Sequence, residues 1–365
     1  MTLVLDNPTV EQLLTVDDVL DCLEQAHRDL AVGQAVNAPP YRVFTPRTKE
    51  EFPEAGDPIH HSYTSLTGAI ARWNVVCDRI DSDIIHYVWQ DDFLRERRLP
   101  ASADRKFCGL LILYSSRTGE PLAFIHDGYL QKFRVAGSAA LGTKYLARPD
   151  AKVMALIGSG WQAQAEVLCN ARVRALERIR VYSPNAEHRR AFAERWTGEV
   201  GVEIEPVDSV QKAVRGADFV ITATNAPEPV VQAEWLEPGQ FVTGVKDLEL
   251  SLTAWERCDP LAVTRPGPMW QRYAIGGVEV IPEHGRDYWG KPSAIHWEAL
   301  PLLGDVMAGR HPGRTSAEQI TGLILRGDGV QFTAVGMRLY ERARERGLGT
   351  EIPTELFLQD EKYIP

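Results

Sequence analysis

The sequence predicts an α/β protein: a doubly wound parallel sheet joined to a second, α+β unit. Three observations carry this. From about residue 130 onward, near-continuous apolar strands alternate with amphipathic helices, as in a parallel sheet covered on both faces. Before that point one helix is followed by strand-like stretches and a hairpin, the texture of a mostly antiparallel sheet. Between a strand and a helix, residues 158–163 form a glycine-containing turn.

In chain order, Thr15 is a helix N-cap, and Val16, Val19, Leu20, Leu23, Ala26 and Leu30 recur behind it at helical spacing until Gly33. Ala38–Phe44 reads as a strand after a turn, 45–58 as a loop, and Trp73–Ile80 and Ile84–Trp89 as strands. Residues 90–106 are polar and aperiodic and read as an exposed insertion. Gly109–Tyr114 and Leu122–Ile125 bracket Ser-Arg-Thr-Gly-Glu as a hairpin. Gln131–Leu146 is an alanine-rich helix ending before Arg148-Pro149. Strands follow at Lys152–Ile157, Arg178–Tyr182, Phe219–Thr224, Phe241–Val245 and Leu261–Thr264. The intervening helices are Trp161–Arg174, Glu187–Trp196 and Ser209–Val214, and Phe332–Arg346 closes the chain before Gly347.

The 365 residues suit two domains. Lys plus Arg total 40 and Asp plus Glu 50, a formal charge of −10, so there is no electrostatic footprint for nucleic acid and no basic membrane-surface face. The five cysteines are an odd number, widely spaced and without C-x-x-C, which argues against a disulfide framework and a structural zinc site. His60-His61 lack a third ligand at helpful spacing, so no metal is expected. No apolar run approaches membrane-spanning length, and the first residues resemble neither a signal nor a transit peptide. A cytoplasmic location is the expectation.

Lys152–Ile157 runs into Gly158-Ser159-Gly160-Trp161-Gln162-Ala163 and then a helix, which is G-x-G-x-x-A in strand–turn–helix context. Gly158 permits the tight turn, Gly160 lets backbone approach a pyrophosphate, and Ala163 lets helix and strand pack closely. This is a dinucleotide fingerprint of Rossmann type. Trp161 is expected to pack over the helix. The next strand ends Val181-Tyr182-Ser183-Pro184-Asn185, with Arg189 and Arg190 just beyond and no carboxylate at its tip. A hydroxyl, an amide and guanidinium groups suit a ribose 2′-phosphate better than a 2′-hydroxyl, so NADP is expected, with NAD as the alternative.

The chain resembles the ornithine cyclodeaminase/μ-crystallin family. The resemblance rests on Asp127-Gly-Tyr-Leu-Gln-Lys-Phe-Arg134-Val-Ala-Gly-Ser138, Tyr145-Leu-Ala-Arg-Pro149 and Ala155–Ala163, in the family's order and spacing. Further matches are Trp235–Gly239, Leu303–Val306 and Arg314-Thr-Ser, so it covers roughly residues 10–350. It implies a substrate-binding and dimerisation domain from residues 1–130, completed by 320–365, around a Rossmann domain at 131–319. It also implies a homodimer and hydride exchange between a nicotinamide and the α-carbon of an imino or amino acid. A redox-neutral cyclodeaminase and a μ-crystallin-like nucleotide and ligand binder are the alternatives.

A substrate of this kind needs cations for its carboxylate and an acid or base near its nitrogen. The resemblance places carboxylate-binding arginines on Arg134 and on Arg42, to which Arg47 is a nearby alternative; apart from the resemblance, His61, beside His60, is a further candidate substrate contact. Its active-site lysine falls on Arg79, a departure, because arginine stays charged: Arg79 can still clamp a carboxylate, but proton transfer then needs another group. Its catalytic aspartate falls on Asp247 in Gly244-Val-Lys-Asp-Leu-Glu249, where the family's Pro-Gly-Lys segment is missing. That shorter loop and the change at Arg79 speak against ornithine cyclisation. The family's acidic residue in the C-terminal helix is absent from Gly329–Ala334. Thr224 and Val245, at strand ends, complete the expected cofactor contacts.

Overall fold

A computed structural model describes all residues except 91–92, 103, 105, 227, 269, 278–287 and 360–365. Two sheets organise it. The first holds β1 (Thr2–Leu5), β2 (Ala35–Asn37), β3 (Tyr41–Arg47), β4 (Ile59–Ile70), β5 (Val75–Gln90), β6 (Phe93–Leu99), β7 (Cys108–Ser115) and β8 (Pro121–His126). The second begins with β9 (Val153–Ile157), β10 (Arg178–Tyr182), β11 (Glu203–Pro206), β12 (Phe219–Thr222), β13 (Phe241–Gly244) and β14 (Leu261–Val263). Late in the chain β15 (Gln271–Ala274) returns to the first sheet, β16 (Thr321–Ile324) to the second, and β17 (Thr350–Ile352) to the first.

The second sheet has the order β11-β10-β9-β12-β13-β16-β14, and every pairing in it is parallel. Its central strands β12, β13 and β16 are buried at every position, as a sheet covered on both faces requires. The first sheet is mainly antiparallel, in the order β15-β3-β4-β5-β7-β8-β1-β17, with β2 on β4 and β6 on β5. Helices α1 (Asn7–Leu13) and α2 (Val16–Ala31) lie between β1 and β2, and Thr15 caps α2 as its sequence predicts. Helix α3 (Gly128–Leu146) links the two sheets and is buried along most of its length, which explains its small residues. Helices α4 (Trp161–Val173), α5 (Ala186–Val200), α6 (Val210–Val214), α7 (Leu252–Glu256) and α8 (Leu303–Met307) belong to the second unit. The last helix, α9 (Gly329–Arg346), packs on β4, β5 and α2.

The two strands expected at Trp73–Ile80 and Ile84–Trp89 are one continuous strand, β5, with Trp73 in a 3-10 turn before it, and three further corrections bear on the units and the cavity. Thr321–Ile324 pairs with β13 and β14, so the dinucleotide-type unit extends beyond residue 319 to about 324. Gln271–Ala274 pairs in parallel with β3, so part of the span assigned to that unit completes the first sheet. Within 90–106, residues 93–99 are not a free insertion but a strand paired with the distal half of β5. Among the described residues, no helix is long and apolar enough to cross a membrane.

Candidate active site

The glycine turn has the geometry its sequence predicts. Gly158 has φ +120°, and a Cβ there would collide with the carbonyl of Ala223, so both conformation and space demand glycine. Gly160 caps α4 with no side-chain hydrogen bond, and the space a Cβ would take is open. The first amides of a 13-residue helix therefore face an open approach, a fitting cradle for a pyrophosphate. Ala163 is fully buried against the sheet. The Ser159 hydroxyl donates to Ser183 Oγ at 2.9 Å, which joins the turn to the end of β10. Asn185 is committed to capping α5: its side-chain oxygen accepts from the amides of Glu187 and His188. Arg189 donates to the Ser183 carbonyl at 2.9 Å and lies with Arg190 and Lys212 along a depression of about 310 Å³ at the ends of β10 and β11. Asp208 and Glu205 share that depression, with Asp208 paired to Lys212.

Beneath the turn, Gln162 donates to the Lys132 carbonyl at 3.0 Å and to Glu166 at 3.1 Å, which fastens α4 to α3. Glu166 is fully buried, and burial pushes its carboxyl up to about 8. Its proton is held in the folded state and released on unfolding over pH 4.5 to about 8. Stability from this group is thus complete below that window and lost as pH rises through it. We expect the melting temperature of the parent chain to fall across the window, and that of Glu166→Gln to fall less. At pH 8 the Gln variant should be the more stable, as thermal unfolding at matched ionic strength would read.

Above the turn lies a cavity of about 330 Å³ between the two sheets. Trp161 stands at its edge, 49% exposed with the Lys132 ammonium over its ring, rather than packed onto its helix as the sequence suggested. Val245, Lys246 and Asp247 enter from the end of β13, and Asn225 and Ala226 from the end of β12. The Thr224 hydroxyl and amide are bound by Glu249, so Asn225, not Thr224, reaches the cavity. Glu249 also receives Thr222 Oγ1 and the Lys246 amide, which makes it a strut for the shortened loop.

Three arginines singled out from the sequence line this one space: Arg42, Arg79 and Arg134. Their surroundings differ. Arg79 is buried between Asp81 and Asp127, bonded to Asp127 Oδ2 at 2.6 and 2.7 Å and ion-paired with Asp81. Burial works against its charge, but Asp127 and Asp81 overcome this and raise its pKa. Its charge is spent on two carboxylates, so it does not serve as a free carboxylate clamp, the role its sequence position suggested. Arg134 is only 9% exposed and stacks 4.7 Å from the centre of the Phe332 ring. Its hydrogen bonds go to two neutral amides, Gln131 Oε1 at 3.2 and 3.3 Å and Gln331 Oε1 at 3.1 Å. Burial, reinforced by Arg79, lowers its pKa to about 10, still charged at neutral pH. Gln331 reaches it because α9 approaches β4 so closely that a Cβ on Gly68 would strike the backbone of Gly329 and Val330. A neutral amide at this helix leaves the cation without an ion pair, and Asp328, Asp127 and Asp81 offset its charge only in part.

Asp247 is buried, ion-paired with Arg326 at 3.2 Å and bonded by the Tyr288 amide at 2.9 Å. His61 does not join the site. It lies on β4 with its ring nitrogen 2.9 Å from Ser82 Oγ, outside the cavity. Sequence reasoning missed Lys246, Arg326, Arg272, Trp270, Tyr87 and Glu96, all of which line the cavity. Lys246 adjoins Asp247 in sequence and was within reach of motif reasoning. The others come from segments with no motif. Among the described residues, no cluster of three metal-ligating side chains is found.

The chain is similar to known proteins in sequence and in fold. The model of the ornithine cyclodeaminase/mu-crystallin family matches residues 99–248. A Delta(1)-pyrroline-2-carboxylate reductase of Bacillus cereus is 32% identical over 67% of this chain and 74% of its own. An uncharacterized cyclodeaminase of Sinorhizobium fredii is 30% identical over 95% of this chain and 97% of its own. The fold is that of the Thermococcus litoralis Delta(1)-pyrroline-2-carboxylate reductase solved with NADH and L-proline. That structure has TM-score 0.74 and 23% identity, over 96% of this chain and 100% of the other.

Proposed function

Because this chain belongs to the ornithine cyclodeaminase/mu-crystallin family, we propose that it is an NAD(P)-dependent oxidoreductase acting on imino or amino acids. The observation that carries this reading is Arg134, a buried cation with only amide partners in the cavity that receives Val245–Asp247. When bound, the nicotinamide accepts or returns a hydride, so that a CH–NH unit and a C=N unit interconvert with one further proton exchanged.

The chain's own residues supply the rest. Arg134 holds the α-carboxylate through charge-assisted bonds, which its planar fork suits. Gln131 and Gln331 aim that fork, and Phe332 supports it from one face. Asp247, held by Arg326, faces the substrate nitrogen as charge partner and proton acceptor. The two sheets enclose the reacting carbon in a space sized for a small ligand. Gly158–Ala163 and Val245 hold the nucleotide, with Ser183, Arg189 and Arg190 at its ribose end. The absence of a carboxylate at the tip of β10 favours NADP over NAD. A homodimer in the cytoplasm completes the reading.

The test uses nucleotide-free chain titrated separately with NADPH and NADH, then supplied with imino acids or with 2-keto acids plus amines. The reading expects tighter NADPH binding and stoichiometric loss of reduced nucleotide with amine formed. Ammonia release from a diamino acid with no net change in nucleotide would make the chain a cyclodeaminase. Nucleotide binding with neither reaction would make it a binding protein.

A further inference from the structure

The cavity holds a second, separate group of cations that the proposed reaction leaves unused. Arg42 on β3 and Arg272 on β15 are direct register partners in a parallel pair, and both side chains line the cavity. Like charges placed opposite each other on neighbouring strands are destabilising unless an anion lies between or above them. The Arg42 guanidinium stacks 4.6 Å from the centre of the Trp270 ring, and its Nε is buried without a hydrogen-bond partner. No carboxylate among the described residues comes within ion-pair distance of either arginine. Asp81 is paired with Arg79 and Asp83 with Arg98, while Glu96, which receives the Tyr87 hydroxyl at 3.2 Å, is the carboxylate whose charge acts most strongly on Arg42, one against Arg42, Arg272 and Lys246 together. Lys246 adds a further positive charge on this side. Burial lowers the pKa of Arg42, a cost that a bound anion would relieve.

This group stands apart from Arg134. Arg134 is built on α3 and α9, around Phe332, whereas Arg42 and Arg272 are built on the β3–β15 edge, around Trp270. A single carboxylate needs one such place, and the cavity offers two.

We propose that the substrate is a dicarboxylate: an imino or amino acid whose α-carboxylate rests on Arg134 and whose second carboxylate rests between Arg42 and Arg272. This rests on the function proposed above and names its substrate class. It also parts Arg42 from Arg134, which the family resemblance joined on one carboxylate.

The test measures nucleotide reduction by the whole chain with matched amino acids: aspartate, glutamate and 2-aminoadipate, their amides asparagine and glutamine, the neutral amino acids alanine and proline, and the diamino acids ornithine and lysine. The expected result is that one dicarboxylate exceeds its own amide by about 10²-fold in kcat/KM, as loss of a close charge pair in a binding site would give. Arg272→Met and Arg42→Met should each reduce that acid-to-amide ratio to within about 5-fold, a change in preference that general unfolding would not produce. Acid and amide within about 3-fold of one another, or preference for a neutral amino acid, would overturn the dicarboxylate proposal and leave the oxidoreductase intact. Preference for a diamino acid would overturn it in favour of Glu96 holding a distal ammonium. If nucleotide binds and no amino acid in the panel changes it in either direction, the oxidoreductase reading itself fails, and this inference with it.

Discussion

Arg134→Met should lose about 10²- to 10³-fold in kcat/KM toward its imino or amino acid and bind nicotinamide nucleotide as the parent chain does. The magnitude follows from what Arg134 is. It is a buried guanidinium whose protein partners are amide oxygens, so its charge is left for the ligand to satisfy. Removing it leaves the substrate carboxylate desolvated and unpaired, the costly half of a broken ion pair. The loss should lie mainly in KM if the carboxylate contact is equal in ground and transition states, and in kcat if it also sets the angle of the α-carbon. The glycine turn stands on another element, so nucleotide titration serves as the control for folding. Arg134→Lys should recover only part of the activity, because an ammonium cannot reproduce the fork held by Gln131 and Gln331.

Asp247→Asn should cut kcat by about 10²- to 10⁴-fold, the range for loss of a positioned acid or base, with a smaller change in KM. The asparagine keeps the size of the side chain and can still accept from the Tyr288 amide, but it presents no charge to Arg326. Some loss of stability is expected with it, since one half of a buried pair is removed. Steady-state kinetics beside a thermal melt separate the two effects. A variant that melts lower yet turns over normally would make Asp247 a structural residue alone.

Much of the second unit was legible because its physics is local. The run Val153–Ile157 is apolar throughout because both of its faces are covered, and Gly158 is fixed by one backbone angle and one close approach. The elements that escaped notice build the site. β6, Phe93–Leu99, carries charges where a strand on an apolar core would alternate, because Glu96 and Arg98 face a polar cavity. β15 is four residues long and leaves Tyr273 exposed, and its partner β3 lies more than 200 residues earlier, so no local pattern announces it. β16 was given to the wrong unit because its neighbours in the sheet, β13 and β14, are set by long-range pairing.

The candidate site divides the same way. Motif order brought Arg42, Arg134, Val245 and Asp247 to one cavity. It could not show that Arg79 is neutralised by Asp81 and Asp127, since alternation along β5 places Asp81 beside Arg79 while Asp127 comes from the start of α3. Nor could it show that Gln331, from the other end of the chain, reaches Arg134 with an amide rather than a carboxylate. His61 was misplaced because a one-residue step along β4 turns a side chain to the other face.

The most direct test of the central claim is isotopic. Reduced nucleotide carrying deuterium at the transferable position of the nicotinamide would be supplied with the imino acid that the chain turns over, and the product read by mass spectrometry. One deuterium per product molecule is expected, carried on the α-carbon and formed at a rate that falls with Arg134→Met and Asp247→Asn. A product with no deuterium at the α-carbon, or label transferred equally well by both variants, would contradict it.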